Sequence, residues 1–226
     1  MGKIVWDRAG ERYYETGVKN GVLYPAAASA GTYGVGVAWN GLTSVTESPT
    51  GAEASPLYAD NIKYLNLMSL EELEATIEAY TYPDEFAVCD GSADVIDGVK
   101  IGQQTRKEFA LCYKTMIGSD ADSELGYKIH ILYGALASPS ERAYESINDS
   151  PDAIAFSWDV TTTPVAVTGY KPTSLLTIDS TKVDAVKLAA LEDILYGLDV
   201  DGETPAVDPR LPLPDEIIAL LTVAEG

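Results

Sequence analysis

Histidine is nearly missing from this 226-residue chain, which holds one, at position 130. Many acid–base and metal-centred mechanisms start from imidazole, so a relay or metal centre built from several histidines is excluded. His130 itself sits amid an alternating apolar pattern and is read as a surface or edge histidine. Cysteine is almost as scarce. Cys89 and Cys112 have neither CxxC spacing nor a histidine neighbour, whereas disulfide scaffolds are short and cysteine-dense. Both are expected as buried thiols of a chain made in a reducing compartment. Basic residues number 15 against 35 acidic ones, leaving a formal net charge of −20. Gripping DNA phosphates or an anionic membrane requires a Lys/Arg surface, and none is available in bulk. No apolar run approaches the ~20 residues of a membrane span. Residues 1–12 carry Lys3, Asp7, Arg8, Glu11 and Arg12 and have no apolar core of a secretory signal, so the chain is expected to stay in the cytoplasm until it is assembled.

Catalytic signatures are missing too. There is no GxSxG elbow, HExxH pair or Walker A loop, and Gly34 and Gly36 lack the third glycine and helix of a dinucleotide site. Asp199 opens a run resembling a calcium loop, but Gly202 falls at the fourth position instead of the sixth and Arg210 takes the twelfth, where a bidentate Glu belongs. Asp120, Asp122 and Glu124 are read as a solvated acidic turn in preference to a calcium site. Carboxylates are abundant enough for chance pairs, so a two-carboxylate hydrolase remains a rival on residue type alone. No catalytic, cofactor-binding or metal residue is assigned, and the chain is expected not to be an enzyme.

What the chain does have is period-two alternation. Val35, Val37 and Trp39 share one side of a segment that breaks at Asn40–Gly41 and resumes over 42–45. Residues 48–56 are turn formers and small residues, followed by strand candidates at 57–58 and 62–65; the flanking strands are expected to form a hairpin with a long loop. Residues 71–81 have helical propensity, yet Leu73, Ala75, Ile77 and Ala79 alternate with polar neighbours, and the alternation decides for strand. Phe109, Leu111 and Tyr113, then Tyr127, Ile129, Ile131 and Tyr133, predict an antiparallel pair joined by the acidic turn. Residues 154–160 and 174–178 predict two more strands. A helix is predicted over 184–196, capped by Asp184, striped by Val186, Ala190, Ile194, Leu191 and Leu195, and closed by Gly197. A Pro- and acid-rich linker over 199–212 leads to a short helix from Pro214 to Leu221. Fourteen tyrosines against three Phe and three Trp suit sheet faces and interfaces that are wet before assembly and dry after it.

Several separated blocks, WDRAGERYYETGV (6–18), GVLYP (21–25), AWNGL (38–42), ESPTGAE (47–53), LYADNIKYL (57–65), TIEAYTYPDEF (76–86), YGALASPS (133–140), FSWDVTTTP (156–164) and LAALEDILYG (188–197), together resemble the major tail proteins of long-tailed siphophages and prophages of Gram-positive bacteria. The resemblance implies a mainly β fold: an antiparallel β-sandwich or barrel of the tail-tube type with one packed α-helix and extended N- and C-terminal arms. On this chain it divides into an arm over 1–33, a β-sandwich domain over 34–197 including the helix at 184–196, and a linker with a C-terminal helical arm over 198–226. It implies a virion structural protein, self-assembling into stacked hexameric rings that conduct DNA without tight binding, with tail terminator, tape measure and distal tail proteins as further partners, no membrane and no cofactor. Arms and a long loop would reach neighbouring subunits or rings. The expected inter-ring loop is Glu47, Ser48, Pro49, Thr50, Gly51, Ala52 and Glu53, and the expected lumen acids are Asp120, Asp122 and Glu124. A carbohydrate-binding or adhesive β-module is the alternative.

Overall fold

The computed structural model describes residues 3–27, 31–144, 146, 153–199 and 206–222. Parts of the expected linker and of both termini lie outside them. The fold is mainly antiparallel β with two helices, and its sheets do not close into a barrel. Eight strands form one sheet: β1 (Tyr13–Pro25), β2 (Val37–Trp39), β3 (Leu42–Gly51), β6 (Glu71–Ala79), β9 (Phe109–Ser119), β10 (Gly126–Ala137), β11 (Phe156–Thr162) and β12 (Leu175–Asp179). Their order is β2-β1-β9-β10-β11-β6-β3, with β12 also paired to β10. Two hairpins stand apart, β4 (Ala54–Ala59) with β5 (Ile62–Met68) and β7 (Ala93–Ile96) with β8 (Val99–Ile101).

The sheet folds over because β10 changes partner along its length. Residues 128–132 pair with β12, and residues 135–137 pair with β11. Between them the register slips and Gly134 has φ 58°. A Cβ there would come within 2.2 Å of the Thr163 carbonyl oxygen, so only glycine permits the bend.

Two cores result. Phe109, Leu111 and Tyr113 face Leu23, Trp39, Ile77, Phe86, Leu132 and Trp158 inside the folded sheet. Ala110 and Cys112 face the opposite way, with Val22, Tyr24, Ile129, Ile131 and Tyr133, onto two helices. A strand covered on both faces is apolar at every position, which explains the run from Phe109 to Tyr113. Helix α1 (Ala185–Tyr196) is capped by the Asp184 carboxylate, which accepts from the backbone N–H of Val186 at 3.0 Å and Lys187 at 3.1 Å. It buries Leu188, Leu191 and Leu195, each contributing roughly 1.5–3 kcal/mol. Helix α2 (Pro214–Leu221) starts on proline as the sequence predicts and buries Ile217 beside Leu211.

Several expectations change. The supposed N-terminal arm contains β1, whose second half is buried and which pairs with β9 from end to end. The C-terminal segment is docked on its own chain: the Tyr133 hydroxyl donates to the Pro212 carbonyl at 3.0 Å, and Asp215 accepts from the Thr168 amide and hydroxyl. Asn40–Gly41 is a turn, as expected, although the strands it joins do not pair with each other: β2 pairs with β1 and β3 with β6. Glu47, Ser48, Pro49, Thr50 and Gly51 are strand, paired with residues 71–75. Only Ala52 and Glu53 remain as the joint to β4.

Candidate functional site

β3, β6 and β11 together present one outward face whose composition is unlike the rest of the chain. Period-two geometry puts Ala75, Ile77, Trp158 and Val160 inward. The alternate positions come into register as Ser44, Glu78 and Ser157, then Thr46, Thr76 and Asp159, then Ser48, Glu74 and Thr161, with Thr50 and Glu72 beyond. Every one of these is a hydroxyl or a carboxylate, and none of the three strands contains Lys, Arg or His. Hydroxyls partner the acids in place of cations: Ser44 donates to Glu78 at 2.8 Å and Thr76 to Asp159 at 3.0 Å. A face of this kind repels polyanions and offers water hydrogen-bonding partners throughout.

At one end, β3 and β6 run on into the β4–β5 hairpin, and the two are joined where the Glu53 amide donates to Ser69 Oγ and the Ser69 amide donates to the Glu53 carbonyl. Asp60 and Asn61, both at positive φ, make the two-residue turn. All residues of both strands are exposed. Ile62, Tyr64 and Met68 stand on one face, and Leu65 and Leu67 on the other. An isolated two-stranded hairpin is marginal in water, and contiguous exposed apolar surface marks a contact site. Residues 54–68 carry one acid, Asp60, and one base, Lys63, so this is a neutral projection on a strongly acidic body.

β3 is one of the edge strands of the sheet, and it carries two features that restrict indiscriminate pairing: Pro49, which lacks an N–H, and an inward-pointing charge, Glu47. Glu47 crosses the sandwich to accept a short hydrogen bond from the Tyr113 hydroxyl, and its Oε1 lies 3.5 Å from His130 Nδ1. His130 stacks on the Tyr113 ring, centroids 4.9 Å apart and 5° from parallel, and its Nε2 is 2.9 Å from Thr115 Oγ1. The side chain is 12% exposed, on a strand paired on both sides, so it is neither a surface nor an edge histidine. Sequence reasoning missed this cluster because its four residues lie on three strands. The inward register of Glu47 was hidden by the loop-like composition around it.

The acidic turn is placed elsewhere. Asp120 sits between β9 and β10, where its Oδ1 accepts from the Gly10 amide at 3.0 Å and the Arg12 amide at 3.3 Å. The Gly10 amide, and then that of Arg12, hold its carboxyl below the usual range. Asp122 accepts from the Glu124 amide at 2.9 Å. Asp120 and Asp122 therefore organise the turn and the N-terminal segment, at the end of β10 opposite to its pairing with β11. Among the described residues, no group of three or more His, Cys, Asp or Glu side chains is placed to hold a metal ion, and no helix is long and apolar enough to cross a membrane.

No protein family and no curated protein matches the chain in sequence. Among the solved structures that match is the cryo-EM structure of an extracellular contractile injection system, the PVC sheath–tube complex in its extended state, at a TM-score of 0.31 and 11% identity, over 71% of this chain and 88% of that one. A likeness that slight has no bearing on function.

Proposed function

We propose that the chain is the structural subunit of a long-tailed phage tail tube, assembling with copies of itself into stacked hexameric rings, and that it has no catalytic role. The observation that carries this reading is the adjacency of two surfaces: a cation-free face of carboxylates and hydroxyls on β3-β6-β11, and a neutral apolar hairpin growing from the same two strands. Copies bearing a charge of −20 repel one another, so contact is least costly where the surface is uncharged and dry. The β4–β5 hairpin meets both conditions, and seating it on a neighbour buries apolar side chains at about 25 cal/mol per Å².

With the hairpin buried between subunits, the acidic face lines the bore. A Debye length of about 8 Å at physiological salt confines its repulsion to the wall. That range is enough to keep phosphates from adsorbing, and DNA passes without being held. The tail terminator, tape measure and distal tail proteins are the further partners of this assembly, and the virion is its location. The free edge of β3 supports the same reading, because ring closure would pair it. The test is light scattering and negative-stain microscopy of the full chain across salt and concentration. Hollow rings or tubes are expected, and a monomer under every condition would refute the proposal.

A further inference from the structure

The one histidine of the chain stands between the two layers of the sandwich, and its Nδ1 is a buried nitrogen with no hydrogen-bond partner. A carboxylate oxygen faces it at 3.5 Å, too far for a bond and too near to ignore. We propose that Glu47 and His130 form a proton-operated fastener between the edge strand β3 and the central strand β10, tight when the imidazole is charged and looser when it is neutral.

The chemistry follows from the partners. A neutral ring with its proton on Nε2 donates to Thr115 Oγ1 and presents a lone pair to Glu47 Oε1, whereas one with its proton on Nδ1 offers Glu47 a neutral N–H and accepts from the Thr115 hydroxyl. The charged ring donates from both nitrogens, so a proton taken up from solvent makes the contact with Glu47 a charge-assisted N–H···O bond from either starting point. The stacked Tyr113 ring fixes the imidazole plane, and the Tyr113 hydroxyl holds the carboxylate in place.

The other charged groups around the ring are already engaged. Lys128, two residues along β10, pairs with Glu15 of β1. Asp179, across from Lys128 on β12, pairs with Lys182 at 3.1 Å and accepts from Thr181. Opposite His130 itself, β12 supplies the uncharged Thr177. Glu47 is therefore the carboxylate that answers to the imidazole. His130, and to a lesser degree Tyr113, hold its pKa below the ordinary carboxylate range against the opposing effect of burial. The fastener consequently weakens when the imidazole is neutral, and it is lost on the acid side as Glu47 gains a proton.

Because β3 continues directly into the β4–β5 hairpin, the fastener sets how firmly that hairpin is held to the body. Its use in controlling assembly rests on the tube reading, whereas its existence does not. Amide exchange over residues 45–51 of the soluble monomer, corrected for the intrinsic pH dependence of exchange, tests it. The ring protons of the sole histidine report its titration in the same sample. Protection is expected to fall roughly tenfold as the imidazole deprotonates, about the worth of one hydrogen bond to a charged group. Glu47→Gln, whose amide oxygen still accepts from Tyr113, is expected to remain folded with protection that no longer follows the imidazole, and His130→Gln to behave alike. Protection independent of imidazole charge, or one that tracks it equally in Glu47→Gln, would overturn the proposal. If β3 responds as expected while no pH yields tubes, the fastener stands and the tube reading falls.

Discussion

Ser44 on β3 donates to the Glu78 carboxylate on β6 at 2.8 Å, on the solvent side of the sheet. An acid on a protein surface commonly has a Lys or Arg nearby; here its neighbour is a hydroxyl, and the same holds for Thr76 and Asp159. The face is thus held together by neutral donors and keeps its full negative charge.

That charge is predicted to be dispensable for folding and necessary for passage. Glu72→Lys with Glu74→Lys converts half the carboxylates of the face to cations at exposed positions. Stability should change by no more than about 1 kcal/mol, and assembly should proceed. The resulting tubes should retain DNA with a steep salt dependence, while wild-type tubes retain none in a filter-binding or co-sedimentation assay.

Replacing residues 54–68 by a two-residue Asn-Gly turn removes the projecting hairpin at a point where Glu53 and Ser69 already exchange hydrogen bonds. The variant should fold, with a melting temperature within a few degrees of wild type, because no residue it loses is buried. It should sediment as a monomer where wild type polymerises. A shortening that cut into residues 48–51 would instead strip residues 71–74 of β6 of their β3 partner and lower stability.

Asp120 fastens the N-terminal segment through the Gly10 and Arg12 amides. Its acidity is raised in the folded state, first by the Gly10 amide, so its stabilising contribution is present above the ordinary aspartate range and is lost as pH falls through the lowered value. Asp120→Asn should weaken protection of those two amides at pH 6, and acidification of wild type should do the same. Amide exchange followed by NMR distinguishes this from global unfolding, because the β9 and β10 amides stay protected.

Both cysteines are buried and unpaired, and burial pushes each thiol up to about 12. At pH 8 the thiolate fraction is then roughly one in ten thousand. Neither thiol should react with a disulfide reagent on the timescale of minutes in the native protein, and both should react once denaturant is added.

Where burial was strong, the sequence could be read. Residues 109–113 and 127–133 alternate or run apolar because they line one or both cores, and the helix over 184–196 was marked by Asp184 and Gly197, each of which has a local job. β1 was obscured because its first half, YYETGVKN, is almost wholly exposed and carries two register slips. The second half of β3, over 47–51, reads as a loop because Ser, Pro, Thr and Gly are what a solvent-facing edge strand tolerates, whereas its first half over 42–45 reads as strand. The acidic face was half visible in the alternation of Glu74, Thr76 and Glu78. Its completion by Asp159 and Ser44 is a matter of cross-strand register, which no local pattern encodes.

On the tube reading, copies of this chain enclose a bore lined by β3, β6 and β11. Cryo-EM of the assembled protein, with rings averaged and the subunit fitted, tests it most directly. The expected result is a hollow tube with Glu72, Glu74, Glu78 and Asp159 on its inner wall and the β4–β5 hairpin buried between subunits. Finding those carboxylates on the outer surface, or a bore that is closed or lined by Lys and Arg, would contradict it.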